Sequence, residues 1–351
     1  MRILIAEDDA ALAGFVRQGL VGEHYAVDVV EDGEQARAMG TEFDYDLVIL
    51  DLNLPKLDGV SVLRHLRLKR PSLPVLVLTQ RSRVEDRVQC LDTGADDYVP
   101  KQLSTASLDI SHIREDLVAK IKAAAESRRL RDGLNLQRKP PRTADLRTRK
   151  VAHGAPAVIA VGISTGGPKA LQEILPTLPV DLPVPILIVQ HMPAGFIAAF
   201  AKRLNNLCAL SICEASHGAE VQPGVVYLAP AGFQMTLDRV AESRALISLS
   251  GKAENQVHVP SVDVMMQSVA SAFHSEAMGI IMTGMGSDGA QGMKAIHREG
   301  GLTIGQDEAS CAVYGMPRVC AEMGILDRVV PLSQIPHEIL QATHYRRTNA
   351  G

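Results

Sequence analysis

Short apolar runs alternate with helical stretches along the first hundred residues. Ile3–Ala6, Ala26–Val30, Asp46–Leu50, Pro74–Leu78 and Asp97–Pro100 are rich in Val, Ile and Leu without polar alternation. That is the pattern of parallel strands buried on both faces. Between them, ALAGFVRQGL and VSVLRHLRLKR carry apolar residues three and four apart, the spacing of amphipathic helices. Five such repeats predict one doubly wound, five-stranded sheet with helices on both faces. A second α/β pattern begins near residue 156. AVIAVGI, PILIVQH, GVVYLAP, AMGIIMTG and LTIGQ read as strands, and GPKALQEILPTL, FIAAFAKRLN, SVDVMMQSVASAF, AQGMKAIHREG and SQIPHEILQATH as helices. FQMTLDRV and RALISLS predict an antiparallel hairpin edge on this second, mostly parallel, doubly wound sheet. No repeat of fixed period is present, which excludes a solenoid.

Between the two patterns periodicity fades. LVAKIKAAAESRRLR has the composition of a last helix running past the first domain. The following stretch gains Pro, and residues 128–150 hold nine Arg and Lys against Asp132 and Asp145. A solvated, flexible tether is the favoured reading, with a dock for an acidic partner as the alternative. The expected division is a domain over 1–122, a basic linker over 123–155 and a second domain over 156–348.

Composition narrows the class. The 351 residues are 46 % hydrophobic and 22 % charged, an ordinary globular balance for two domains. Net charge is −4 and aromatics are 3 % with no Trp, which argues against a basic DNA footprint or a stacking platform for single strands. Five scattered Cys without a Cys-x-x-Cys predict reduced thiols rather than disulfides or zinc. The N-terminus turns acidic by Glu7 and no apolar run reaches the length of a membrane span. A soluble, cytoplasmic protein without membrane insertion is expected.

Candidate chemistry gathers where strands end, the place where open α/β sheets bind ligands. In the first domain Glu7, Asp8 and Asp9 follow strand one, Asp51 follows strand three, Thr79 closes strand four and Lys101 follows strand five. Converging carboxylates suit a hard cation such as Mg²⁺. Metal, hydroxyl and ammonium together could stabilise a phosphoryl group passing to a carboxylate. Any one of these acids alone would read as a helix cap. Their recurrence at successive strand ends argues otherwise.

In the second domain three motifs follow apolar strands. Gly162-Ile163-Ser164-Thr165-Gly166-Gly167 fits a strand–turn–helix that exposes a serine hydroxyl above a helix N-terminus. The competing reading, a phosphate-binding turn, lacks both the P-loop lysine and the Gly-x-Gly-x-x-Gly spacing. His191, in Gln190-His191-Met192-Pro193, is placed to act as a general base, against a packing role under the Pro193 turn. Asp288, inside TGMGSDGA, could orient that imidazole, against capping of the helix that follows. Cys311 is a rival nucleophile by thiol chemistry, ranked lower because nothing near it in sequence supplies a base. The order Ser, His, Asp differs from the α/β-hydrolase order.

ILIAEDDAAL, DLVILDLNLPKLDG, LVLTQR and GADDYVPK resemble the response-regulator receiver domain across the whole first region. The resemblance implies a flavodoxin-like fold with Asp51 as phosphoacceptor. It implies Asp8, Asp51 and the Asn53 carbonyl as Mg²⁺ ligands, Glu7 as a further acid, Thr79 and Lys101 as the phosphate-sensing pair and Tyr98 as the switch aromatic. The wording is similar to receivers that drive winged-helix DNA-binding domains. One departure is that Pro100 precedes Lys101 and Gln102 follows it, where the family places proline after the lysine. The loop there is expected to take its own course.

GISTGG, QHMP, PSVDV, TGMGSDGA and QDEASCAVYGMP resemble the chemotaxis protein-glutamate methylesterase catalytic domain over residues 157–330. The resemblance implies Ser164 as nucleophile, His191 as base, Asp288 as orienting acid, Thr165 as a neighbour and the Met285 N–H as oxyanion donor. The expected function is a phosphorylation-regulated serine esterase acting on glutamate methyl esters, which by the same acyl chemistry deamidates glutamine. Mg²⁺ is expected in the receiver and no cofactor in the esterase. The expected partners are a phosphodonor histidine kinase and a methylated chemoreceptor or similar coiled-coil protein, with no nucleic acid. The alternatives are a non-catalytic, receptor-binding adaptor and a DNA-binding regulator.

Overall fold

Every apolar run that predicts a strand forms one, shifted by up to three residues at its ends. The computed structural model describes residues 2–71, 73–79, 93–101, 154–192, 196–241, 244–251 and 258–345. The chain divides into two compact units, Met1–Gln137 and Arg138–Gly351. The boundary expected at 122–123, the helix expected from 105 onwards, the basic linker as far as 153 and the end of the second domain at 348 lie outside the described residues.

In the first unit β1 (Arg2–Ala6), β2 (Ala26–Val30), β3 (Leu47–Asp51), β4 (Val75–Thr79) and β5 (Asp97–Pro100) form one parallel sheet in the order β2-β1-β3-β4-β5. Helices α1 (Ala10–Gly22), α2 (Gly33–Glu42) and α3 (Gly59–Lys69) connect them. Each helix starts on an aspartate whose carboxylate accepts free N–H groups of the first turn. Asp9 caps α1, Asp32 caps α2 and Asp58 caps α3. Asp9 therefore does the ordinary work that each acid alone would suggest. Ile3, Ile5, Val16, Leu20, Leu47, Ile49, Leu76 and Leu78 form a buried core against the sheet. The order reverses between β1 and β3, so the ends of those two strands flank the crevice of the fold.

In the second unit β6 (Val158–Ile163), β7 (Ile186–Gln190), β8 (Ser211–Glu214), β9 (Val225–Leu228), β12 (Ala277–Ile281), β13 (Leu302–Gln306) and β14 (Arg328–Val330) form a parallel sheet. Its order is β14-β13-β12-β6-β7-β9-β8. The connecting helices are α4 (Gly167–Ile174), α5 (Ile197–Leu207), α6 (Val262–Phe273), α7 (Ala290–Arg298), α8 (Met316–Glu322) and α9 (Ile335–Ala342). The hairpin β10 (Gln234–Ala241) and β11 (Arg244–Ser250) is an antiparallel sheet of its own. It lies on α6, where the Leu237 N–H donates to Ser268 Oγ and Arg239 sits 4.8 Å over the Phe273 ring. Met235, Leu237, Ala245 and Ile247 of the hairpin join the core beneath α6 and α7.

Strands β8 and β14 and helix α8 have no counterpart among the expected elements. β8 and β14 are short sheet-edge strands carrying Ser, Glu or Arg, so they lack the continuous apolar run of a central strand. Helix α8 is a seven-residue piece starting with Pro at its first turn.

One close backbone approach in the first unit is at Gly59, which starts α3 at the end of β3. A Cβ there would lie 2.1 Å from the Asp51 carbonyl oxygen and 2.6 Å from Leu52 Cα. Gly59→Ala should destabilise the first unit by about 1–3 kcal/mol through forced backbone displacement, measurable by urea unfolding. Gly14→Ala, at a position where a Cβ meets nothing within 4 Å, is the control expected to be neutral or stabilising.

Candidate active site and acidic pocket

Sheet order explains why three distant segments of the second unit converge. β12, β6 and β7 are adjacent, with Gly162 paired to Ile281 on one side and Ile163 paired to Gln190 on the other. Ser164 follows β6 and His191 follows β7, each one step beyond the last pair. Asp288 lies on the loop that leaves β12.

The serine turn is fixed from several directions. Its N–H donates to the Thr283 carbonyl at 3.0 Å, while its carbonyl accepts from the Gly167 N–H and from Gln190 Nε2. Gly166 sits at φ +80°, a left-handed conformation that favours glycine. At Gly167 a Cβ would stand 2.0 Å from Gln190 Oε1, so the turn closes against the β7 end only with glycine there. Gln190, 2 % exposed, also donates to the His191 carbonyl and so ties the serine segment to the histidine segment. Thr165 contributes its carbonyl, which accepts from Thr283 Oγ1 at 2.9 Å.

His191 Nε2 lies 2.8 Å from Asp288 Oδ2. Asp288 also accepts from Ser261 Oγ at 2.8 Å and from the N–H groups of Val262 and Asp263 at 2.8 and 3.0 Å. It thus sits on the N-terminus of α6, not on the helix that follows it. Burial works to raise its pKa, but the bonds from His191, Asp263 and Val262 overcome this and hold it at about 2. An ionised carboxylate can only accept, so the shared proton belongs to His191 Nε2 and the other ring nitrogen, Nδ1, is the basic one. Ser164 Oγ makes no hydrogen bond among the described residues, so the serine–histidine bond of a resting triad is not formed here. Met285 follows Gly284, whose N–H and carbonyl are engaged with Val313, Gly315 and Met316. The Met285 N–H itself has no hydrogen-bond partner among the described residues. Cys311 is 1 % exposed, which removes it from solvent and from substrate.

In the first unit Glu7, Asp8 and Asp51 each offer an oxygen within 4.8 Å of the others. Lys101 Nζ reaches Glu7 Oε1 at 2.6 Å and Asp51 Oδ2 at 2.9 Å. The Pro100-Lys101 order therefore still delivers the ammonium to the acids, with Pro100 paired to Thr79 at the end of β5. Burial disfavours the lysine charge, yet its hydrogen bonds to Glu7 and Asp51 hold its pKa above the ordinary value. Burial pushes Glu7 upward more strongly than Lys101 pulls it down. Glu7 Oε2 is buried without a hydrogen-bond partner. Three carboxylates with an orphaned oxygen fit a hard divalent cation. The side chains of Thr79 and Tyr98, and the whole of Gln102, lie outside the described residues.

Residues 159–339 match the CheB methylesterase family, and residues 3–111 match the response regulator receiver domain. Two relatives align over 97 % of the chain, each named protein-glutamate methylesterase/protein-glutamine glutaminase 1. The protein of Oleidesulfovibrio alaskensis is 35 % identical and covered over 99 % of its length. That of Geobacter sulfurreducens is 39 % identical and covered over 96 %. The chain belongs to the CheB methylesterase family. The crystal structure of the Thermotoga maritima CheB methylesterase catalytic domain is 36 % identical, with a TM-score of 0.51, over 53 % of this chain and 98 % of that one. Among the described residues no helix is long and apolar enough to cross a membrane.

Several residues around this cluster escape sequence reasoning. Ser261 and Asp263 fall inside the PSVDV run but carry no chemical signature of their own. His258 stacks on His191 with ring centroids 4.6 Å apart and an interplanar angle of 11°. Its only sequence signal is being a histidine shortly before that run.

Asp288 ties site electrostatics to stability. Its pKa is lower folded than unfolded, so its contribution is complete above the ordinary carboxylate value and is lost as pH falls towards about 2. The shift corresponds to about 2 kcal/mol. The stability gap between wild type and Asp288→Asn should be full at pH 5 and close between about pH 4 and pH 2, as read by denaturant unfolding at each pH. A gap that stays constant down to pH 2 would contradict the assignment of that low pKa to Asp288.

Proposed function

We propose that this chain is a serine esterase that hydrolyses glutamate methyl esters on a chemoreceptor or similar coiled-coil signalling protein. Its N-terminal receiver holds it in check until Asp51 is phosphorylated. The observation that carries the catalytic reading is the 2.8 Å bond between His191 Nε2 and Asp288 Oδ2 at the strand end beside Ser164. His191 Nδ1 takes the Ser164 proton as Oγ attacks the γ-carbonyl of the ester. The oxyanion accepts the Met285 N–H, aided by the N-terminal end of α4. The tetrahedral intermediate collapses, the C–O bond breaks, and methanol leaves with the proton from His191. Water, deprotonated by the same nitrogen, then attacks the acyl-enzyme, and Ser164 Oγ leaves with the proton from His191 to give the glutamate carboxylate and free enzyme. Glutamine enters the same cycle with ammonia as leaving group, so deamidation needs no further residue.

Ser164→Ala and His191→Ala should lower methanol release from methylated receptor membranes by roughly a thousandfold or more with folding intact. Cys311→Ala should leave it near normal. Near-normal activity of Ser164→Ala, together with loss in Cys311→Ala, would sink the triad. The adaptor reading expects no methanol release from the wild type at all.

In the receiver, Asp8, Asp51 and the Asn53 carbonyl, with Glu7 alongside, would hold Mg²⁺, which would neutralise charge at the acceptor carboxylate. Asp51 is the acceptor and Lys101, 2.9 Å away, is the ammonium that meets an incoming phosphoryl oxygen. Thr79 and Tyr98 complete the sensing set, and a histidine kinase is the donor. The protein acts in the cytoplasm at a membrane-bound receptor array, without nucleic acid. With a small phosphodonor, intact-mass measurement should find one acyl-phosphate, at Asp51, lost on chelation of Mg²⁺ and strongly reduced in Asp8→Ala. Esterase rates should then rank the resting full chain below both the phosphorylated chain and a fragment starting near Pro156. A phosphate mapped elsewhere removes the acceptor assignment. Equal esterase rates in all three samples remove the inhibitory role of the receiver.

A further inference from the structure

One ring touches the His191 imidazole and has no part in the cycle above. His258 stacks on it at 4.6 Å between centroids, within 11° of parallel. Its backbone is pinned, because the His258 carbonyl accepts from Gln234 Nε2 at 2.8 Å. Gln234 Oε1 in turn accepts the Ser261 N–H at 2.8 Å, and Ser261 Oγ donates to Asp288. Gln234 is 2 % exposed and stands at the first position of β10. One buried amide therefore links the stacking ring to the residues that hold the acid.

An imidazole anchored through one nitrogen can still swing about that hydrogen bond and carry its other nitrogen out of place. A flat ring laid against its face blocks the swing. We propose that His258 is a positioning residue for ester hydrolysis: stacked on His191 and pinned by Gln234, it keeps Nε2 on Asp288 while presenting Nδ1 to Ser164. This rests on the Ser164–His191–Asp288 reading. The stack also tolerates the charge that His191 acquires during the reaction. Partial desolvation, followed by the neighbouring His191, lowers the His258 pKa, against the opposing pull of Asp288 and Asp263. A lowered pKa favours the neutral ring, which offers a π face rather than a second cation to the imidazolium.

The test uses the full chain with His258→Ala, His258→Phe and Gln234→Leu, assayed for kcat and KM of methanol release. Loss of a stacked pair should lower kcat about five- to tenfold in His258→Ala with KM within about twofold. His258→Phe keeps a flat ring and should recover most of kcat, with Gln234→Leu falling between. Independently, ¹⁵N-histidine NMR without substrate should find His191 as a fixed Nε2–H tautomer in wild type and His258→Phe, and as an averaged signal in His258→Ala. That measurement needs no esterase activity, so it separates this inference from the function on which it rests. If Ser164→Ala loses nothing while the NMR behaves as stated, the catalytic reading fails and the stacking role stands. Wild-type kcat with an unchanged His191 signal in His258→Ala overturns the proposal, as does a His258→Phe variant as impaired as His258→Ala.

Discussion

The second unit depends on an exchange of helix caps between α6 and α7. Asp288, just ahead of α7, accepts the first-turn N–H groups of α6, at Val262 and Asp263. Asp263, in the first turn of α6, accepts the Gly292 N–H of α7 at 2.8 Å. Helix N-termini carry unsatisfied donors and partial positive charge, and here each is closed by an acid borrowed from the other. The exchange fixes the loop that leaves β12, keeps Asp288 ionised despite burial and leaves it one acceptor direction for His191. A single electrostatic arrangement thus serves both the packing of α6 on α7 and the orientation of the imidazole.

The receiver pocket works by a different balance. Lys101 is buried between two buried carboxylates, an arrangement whose desolvation cost offsets much of its Coulombic gain. Such a cluster adds little to stability. Its value lies in being poised, because Glu7 keeps one oxygen without a partner and Asp51 meets a cation already in place.

Much of this was legible in the sequence because the chemistry sits at strand ends and central parallel strands are continuous apolar runs. β6, β7 and β12 announce themselves in that way, and Ser164, His191 and Asp288 follow them directly or by one short loop. What stayed hidden was of two kinds. Edge strands such as Ser211–Glu214 bury only one residue of four, so their composition does not separate them from loop. Contacts made across the fold carry no local signal either. Nothing near His258 marks it as the ring against His191, and nothing near Gln234 marks its grip on Ser261. Asp288 suggested a cap for the helix after it, and it is a cap, but of the helix before it. Local spacing identifies the capping residue type without identifying which N-terminus receives it.

The placement of β6 at the centre of its sheet has a consequence for how the protein comes into being. The pair His191 and Asp288 is 97 residues apart in the chain, and the contact between Thr165 and Thr283 spans 118. Closing such long loops is entropically expensive and slow compared with local helix formation. A chain emerging from the ribosome can form β6, α4 and β7 and still lack Thr283, whose carbonyl accepts the Ser164 N–H. The Ser164 turn and the His191–Asp288 bond are therefore completed late, because Thr283 and Asp288 both lie beyond β12.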